Sequence, residues 1–354
     1  MSKFLSAKYD GLKPYVPGEQ PKERQYIKLN TNESPFPPSP LAIERAAAEL
    51  EKLMLYSDPD CKELIEALSR RFGVGRDEVI AVNGSDEVLN FAFMAYCDQD
   101  RPAIFPDLTY GFYKVFAELN GVPYKEIPLK EDFSMDLKEL LTGAGTLFIA
   151  NPNAPTGICL SVSEIEKLVA ADPERMVVVD EAYIDFGGES CVPLVKKYDN
   201  LLVTQTFSKS RSMAGARLGF GIGCKAVIED LTRIRYSTNP YNVNRMTAAA
   251  GVGALADEKY FAENCQKIME NREFLSKELR ALGFTLTPSK ANFVFAKHSN
   301  VGGEELYLKL KEKGVLVRHF KTERIKDYNR ITVGSREQTE ILVEKIKEIL
   351  EEKQ

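Results

Sequence analysis

The chain has 354 residues, of which 44% are hydrophobic and 28% charged, with a formal net charge of −5. That length exceeds one ordinary core and suits a large and a small domain, and the composition excludes a disordered chain. The nearly balanced charge argues against a nucleic-acid or membrane-surface partner, and no apolar run is long enough to span a bilayer.

The N-terminal arm, residues 1–30, carries too little apolar material to fold alone and is expected to pack on a domain or on a neighbouring subunit. It holds no apolar stretch of signal-peptide length, so a cytoplasmic protein is expected. The proline-rich ESPFPPSP (33–40) reads as a rigid surface turn. Across a large domain spanning 31–256, β-rich runs alternate with helical patterns. The runs are VIAVN (79–83), PAIF (102–105), TLFIA (146–150), MVVVD (176–180), LLVTQ (201–205) and LGFGI (218–222). Helices are expected near 85–98, 109–120, 162–171 and 224–236, and the apolar MTAAAGVGALA (246–256) reads as a buried helix. Ser161 and Glu164 have the spacing of a capping box. Continuous apolar runs suit strands buried on both faces, and the alternation implies an α/β fold with a mostly parallel sheet flanked by helices.

After residue 257 the pattern changes. A long amphipathic helix (257–282) leads to FTLTP, NFVFA, a helix near 303–313, VLVR and RITVG. A last helix starts at 336 behind Ser335 and Gln338, again with capping-box spacing. Residues 257–354 thus read as a smaller α+β domain. The six cysteines form no C-x-x-C pair and read as buried thiols. Two histidines, His298 and His319, are too few for a multi-histidine metal site, and no metal is expected.

In open parallel sheets, ligands gather outside the carboxyl ends of the strands. TLFIA runs there into NPNAPTG (151–157), MVVVD ends at Asp180 with Tyr183 close behind, and LLVTQ runs into TFSKS with Lys209. VIAVN runs into Gly84-Ser85-Asp86 at the start of a helix, whose free N–H groups make a phosphate seat. Ser208 and Arg217 add a hydroxyl and a fixed cation. Lys209 can form a Schiff base with an aldehyde, Asp180 can pair with a protonated ring nitrogen, and Tyr183 can bond a phenolic oxygen. A ligand bearing all four groups is pyridoxal 5'-phosphate. A carboxylate about 4 Å from the ring cation is worth roughly 4 kcal/mol at an effective dielectric near 20, enough to keep a weakly basic pyridine protonated at neutral pH. The glycines of GARLGFGIG lack the third glycine of a dinucleotide fingerprint, where Cys224 stands.

These blocks carry a resemblance. NPNAPTG, VVVDEAYIDF and TFSKSRSMAGARLGF resemble the signature blocks of fold-type I pyridoxal-phosphate-dependent aminotransferases. With LKPYVPG (12–18), KLNTNESPFPPSP (28–40), LYSDPD (55–60), NGSDEVL (83–89), PDLTYGFYKV (106–115), GVLVRHF (314–320) and NRITVGSREQ (329–338), nearly the whole chain is similar to the histidinol-phosphate aminotransferase family. The resemblance implies a Schiff-base lysine and proton carrier in Lys209, with Asp180 on the ring nitrogen, Tyr183 on the ring oxygen and Tyr110 stacked on the ring. It implies a phosphate seat of Ser85, Asp86, Ser208 and Arg217, reached by Tyr56 from the second subunit of a homodimer. Arg330 would hold the carboxylate of glutamate or 2-oxoglutarate, with Arg318 and Tyr15 at the second anion. The family often places asparagine directly before Pro-Thr-Gly; here Ala154 stands there and Asn153 one earlier, and Asn153 is carried as the ring-oxygen partner.

The implied reaction passes the amino group between L-histidinol phosphate and 2-oxoglutarate in two half-reactions, within histidine biosynthesis. An aromatic amino-acid aminotransferase on the same scaffold and a phospho-amino-acid decarboxylase are the alternatives. A non-enzymatic cofactor-binding regulator lacks the DNA-binding segment it would need.

Overall fold

The computed structural model describes residues 2–21 and 24–352. Its strands are β1 (Ile27–Lys28), β2 (Val79–Val82), β3 (Ala103–Pro106), β4 (Tyr124–Ile127), β5 (Thr146–Ala150), β6 (Val177–Asp180), β7 (Leu201–Thr206), β8 (Gly219–Gly223), β9 (Phe284–Leu286), β10 (Phe293–His298), β11 (Val315–Leu316), β12 (Arg318–His319) and β13 (Tyr328–Thr332). Seven of them form one sheet in the order β2-β8-β7-β6-β5-β3-β4. Only β8 runs against its neighbours, so the sheet is otherwise parallel, as the alternating pattern predicts.

Successive residues of a strand point to opposite faces, and both faces here are apolar. Val177 and Val179 enter one core with Leu147, Ile149, Leu201 and Val203. Val178 enters the other with Phe148, Leu202, Ile80 and Phe105. The glycines of β8 have a packing purpose. Phe220 and Ile222 fill one core, while on the opposite face a Cβ at Gly219 would meet Ser85 N at 2.3 Å and one at Gly221 would meet Val88 Cγ1 at 3.1 Å. The repeat GFGIG therefore lets the helix Ser85–Tyr96 lie close on the sheet.

A four-stranded antiparallel sheet, β12-β13-β10-β9, forms the smaller domain. The helix Arg336–Glu351 covers it with Leu342, Val343, Ile346 and Ile349, a helical-period stripe. Both predicted capping boxes are present, at Ser161/Glu164 and Ser335/Gln338. The arm packs on this smaller layer: β1 pairs in parallel with β11, and Leu29 enters its core.

Some expectations shift. The segment 33–40 is mostly half-buried rather than a surface turn: Phe36 packs against the cluster of Phe186, Cys265, Ile268 and Val333. Ser39 then caps the helix Pro40–Ala47, with proline at its first position. The edge strand β4 was not expected, because its sequence YKEI has two exposed charged residues and no apolar run. The predicted helix at 109–120 begins three residues later, at Phe112, leaving Thr109 and Tyr110 in the loop above the sheet. Among the described residues, no helix is long and apolar enough to cross a membrane.

Candidate active site

Strand order reverses beside β3, since β4 lies to one side of it and β5 to the other. Loops leaving β3 and β5 diverge there and open a crevice above the carboxyl ends of the strands. A cavity of about 150 Å³ occupies it, lined by Ser85, Asp86, Tyr110, Asp180, Tyr183, Ser208, Lys209 and Arg217, with Ala154 and Thr206 among the rest. A cleft of about 470 Å³ adjoins it, sharing Tyr110, Ala154, Tyr183 and Lys209 and adding Tyr15, Arg318 and Arg330.

At the floor, β6 ends in Asp180, only 5% exposed. Its Oδ1 accepts from Ala182 N–H at 3.1 Å, and its Oδ2 accepts from the Tyr113 hydroxyl at 3.3 Å. Burial pushes the carboxyl up to about 7, the Asp86 charge adds to this, and the Ala182 amide, Tyr113 and Lys209 oppose it. A buried acid held this way is poised to receive a cation. Lys209 Nζ stands 3.4 Å from Thr31 O and 5.8 Å from the Tyr183 ring centroid.

The phosphate-seat residues converge as well. The helix Ser85–Tyr96 starts at Gly84 with φ +81° and no side-chain cap, so its first N–H groups are not taken by a capping side chain. Arg217, in the left-handed region at φ 55°, bonds Asp86 Oδ2 at 3.0 Å and Ser208 Oγ at 3.4 Å. A Cβ on Gly84 would meet Arg217 Nη2 at 2.5 Å, so glycine lets the guanidinium close over the helix end. Non-glycine residues with positive φ persist where the surroundings over-determine them. Uncapped N–H groups, a hydroxyl and a guanidinium suit a phosphate, while the buried acid and the lysine suit an electrophilic ring; the donor set fits a phosphorylated pyridine aldehyde. Tyr110 adds its ring to the same cavity, with its hydroxyl donating to Asp86 Oδ1 at 2.7 Å. Burial, then the Asp86 charge, holds that phenol well above the usual range.

In the cleft, Arg330 donates to Asn30 O at 3.1 Å, while its enclosed Nε has no partner among the described residues. Burial holds its guanidinium below the usual arginine range. Arg318 donates to Pro17 O and Val16 O, each at 3.2 Å, and Tyr15 stacks on Phe112 at 4.3 Å.

Two expected residues stand apart. Asn153 does not line the cavity: its amide donates to Leu108 O and Thr156 Oγ1, and its Oδ1 accepts from Thr109. Ala154 takes the facing position, so Asn153 braces the loop rather than presenting an amide to a ligand. Tyr56 is 79% exposed, stacked on Tyr241 at 4.5 Å and away from this chain's own cavity.

Residues 24–346 match the family described as Aminotransferase class I and II. The chain belongs to this family. It is 46% identical over 353 residues to the histidinol-phosphate aminotransferase of Brachyspira hyodysenteriae, with 99% of each chain covered. It is 47% identical over 350 residues to histidinol-phosphate aminotransferase 1 of Bradyrhizobium diazoefficiens, covering 99% of this chain and 100% of that one. The crystal structure of histidinol-phosphate aminotransferase from Sinorhizobium meliloti in complex with pyridoxal-5'-phosphate shares the fold, with a TM-score of 0.86, 23% identity, and coverage of 93% and 92% of the two chains.

Within this aminotransferase framework, three residues at the site escaped sequence reasoning. Tyr113 holds Asp180; its signal was the three-residue spacing from Tyr110 at a helix start. Asn32 donates to the Tyr183 hydroxyl at 2.9 Å, from a block that had drawn notice only for its prolines and its resemblance. Glu181 anchors the Asp180 turn from below, accepting from Ser190 Oγ and Cys191 N at 2.6 Å and Gln205 Nε2 at 2.8 Å.

Proposed function

We propose that the protein is a pyridoxal-phosphate-dependent aminotransferase acting on L-histidinol phosphate and 2-oxoglutarate. The observation that carries this reading is the convergence of Lys209 with buried Asp180 in one cavity and of Arg318 with Arg330 in the adjoining cleft. The two guanidiniums suit substrates that each bring more than one anionic group. The full-length relatives named above support the choice of substrate.

Pyridoxal phosphate, when bound, supplies an aldehyde for a lysine amine and a ring that takes up the electron pair left when a substrate Cα–H bond breaks. Lys209 would be that amine, and its freed Nζ would take the proton from Cα and deliver it to the former aldehyde carbon. Asp180 would hold a carboxylate against the ring cation. Tyr183 would serve the ring oxygen, and Tyr110 would stack on the ring. Ser85 and Asp86 backbone groups, Ser208 and Arg217 seat the phosphate. Arg330 orients the carboxylate shared by glutamate and 2-oxoglutarate, and Arg318 with Tyr15 receives the second anion. The active unit is a cytoplasmic homodimer in which Tyr56 reaches the partner's phosphate seat.

The aromatic lining of the cleft, with Tyr15, Phe105 and Phe320, also suits an aromatic amino acid. Consumption of 2-oxoglutarate by the purified protein with histidinol phosphate, phenylalanine or tyrosine separates the two readings. A higher kcat/KM for histidinol phosphate is expected; a higher value for phenylalanine overturns the substrate assignment, and CO2 release in place of amino transfer overturns the reaction. Lys209→Ala is expected to lose multiple turnover by at least about 10⁴-fold.

A further inference from the structure

Asn32 is nearly inaccessible at 1% exposed and sits in the left-handed region at φ 57°. Its N–H donates to Thr332 Oγ1 at 2.9 Å, and that hydroxyl donates back to Asn32 Oδ1 at 3.1 Å. The return bond fixes the amide, so that Nδ2 faces the Tyr183 hydroxyl at 2.9 Å. Asn292 Nδ2 holds the Asn32 carbonyl at 3.0 Å. Four hydrogen bonds, two to its side chain and two to its backbone, thus hold Asn32 in a conformation few residues adopt.

A phenol has a single hydrogen to donate. Because Asn32 donates to Tyr183 Oη, that oxygen accepts on one side and keeps its own O–H for the cavity. Asn153, whose amide is spent on Leu108 O and Thr156, offers nothing to a ligand there. We propose that Asn32 is a positioning residue of the active site: it orients and polarises the Tyr183 phenol toward the cofactor's ring oxygen, in the place Asn153 leaves. This rests on the cofactor reading given above.

The same segment reaches the substrate cleft. Thr332 and Arg330 lie two apart on β13, so their side chains share a face. Arg330 bonds Asn30 O, and Lys209 bonds Thr31 O. Residues 30–32 therefore join the strand that carries the substrate arginine to both the lysine and the phenol.

The test is a pH titration of the visible absorbance of the protein loaded with pyridoxal phosphate. An O–H donor stabilises the ring oxygen as an anion; a weaker donor lets the lysine-linked chromophore hold its proton to higher pH. Asn32→Gly keeps the backbone conformation and deletes the amide. Asn32→Asp offers an acceptor in place of the donor and turns the phenol away from the cavity. The charged and titratable groups that face Tyr183, namely Lys209, Arg330 and Tyr113, stay in place in both variants. The titration midpoint is expected to rise by about half a pH unit in Asn32→Gly and further in Asn32→Asp, where the new carboxylate adds its own charge, and the Asn32→Gly change is not expected in a Tyr183→Phe background. An unmoved midpoint in both variants, or a full Asn32→Gly movement in the Tyr183→Phe background, overturns the proposal. If the Asn32 variants do not fold, Thr332→Val frees the same amide, and an unmoved midpoint there overturns it equally. A wild-type protein with no visible band overturns the cofactor reading instead.

Discussion

The Tyr113 hydroxyl donates to Asp180 Oδ2 at 3.3 Å, inside a core where Tyr113 has no exposed surface. Among the described residues, one phenol and one backbone amide donate to this buried carboxylate. A carboxylate bonded this sparsely suits the protonated ring proposed as its partner.

That shortfall sets a pH dependence. Burial pushes the Asp180 carboxyl up to about 7, against roughly 3.9 for an unfolded aspartate. The folded chain therefore binds this proton more tightly, and the cofactor-free protein loses stability as pH rises from about 4 to about 7. Asp180→Asn removes the charge. Without cofactor, the variant is expected to be more stable than wild type above pH 7, by about 1–3 kcal/mol, and no more stable at pH 4. With cofactor and substrates, its kcat is expected to fall at least about 100-fold. Thermal melts across pH check the first part; parallel melting profiles would refute it.

The glycine at the start of β8 leads to a second expectation. A Cβ at Gly219 would lie 2.5 Å from Gly84 C as well as 2.3 Å from Ser85 N, so Gly219→Ala pushes directly on the helix end assigned to the phosphate. Cofactor affinity is expected to weaken at least about tenfold, the loss of one charge-assisted hydrogen bond. Gly215→Ala, where nothing lies within 4 Å of the added methyl, is the control and is expected to bind as wild type. Fluorescence titration with pyridoxal phosphate measures both; equal affinities would separate the phosphate from this helix end.

The strands that position Asp180 and Lys209 were legible because both sheet faces are buried, so β5, β6 and β7 read as continuous apolar runs ending in polar residues. Lys209, Asp180, Tyr183, Ser208 and Arg217 could be found as one set because the rule about strand ends applies to local sequence. Asn32 could not, since its partners Tyr183 and Thr332 are brought to it only by the packing of the segment that follows the arm against both sheets. Tyr113 and Glu181 were hidden for a related reason: each acts on Asp180 or its turn from within the fold rather than from the cavity wall. The turn of Asn153 away from the cavity was beyond local reading as well, because Thr109 and Leu108, which claim its amide, come from a different loop.

Arg330 presents an enclosed Nε without a partner among the described residues while one Nη donates to Asn30 O. A guanidinium left half-satisfied in this way is prepared for a planar carboxylate. Arg330→Lys keeps the charge and loses the fork, so KM for 2-oxoglutarate is expected to rise about 10–100-fold with a smaller change in kcat. Arg330→Met removes a half-buried charge with no ion-pair partner among the described residues and is expected to melt higher than wild type while losing turnover. Steady-state kinetics with glutamate and 2-oxoglutarate check the first, calorimetry the second; an unchanged KM in Arg330→Lys would place the carboxylate elsewhere.

The loop around Tyr56 offers the sharpest test of the proposed dimer. Leu50, Leu53, Met54, Leu55 and Tyr56 are all exposed, Met54 at 81%. The loop is nonetheless pinned, by Arg245 Nη1 on Tyr56 O and Ser57 Oγ on Val243 O, both at 2.7 Å, and by the Tyr56–Tyr241 stack. A pinned apolar patch of this kind suits the interface of the proposed dimer. Met54→Asp places a charge in its centre and is expected to shift sedimentation from dimer to monomer, with activity recovering as protein concentration rises. Tyr56→Phe keeps the apolar contact and removes only the hydroxyl, so the dimer is expected to persist while the Kd for pyridoxal phosphate rises about tenfold or more. If Met54→Asp stays dimeric and active, the patch serves another purpose; if Tyr56→Phe binds cofactor as wild type, its hydroxyl does not reach the partner's phosphate seat.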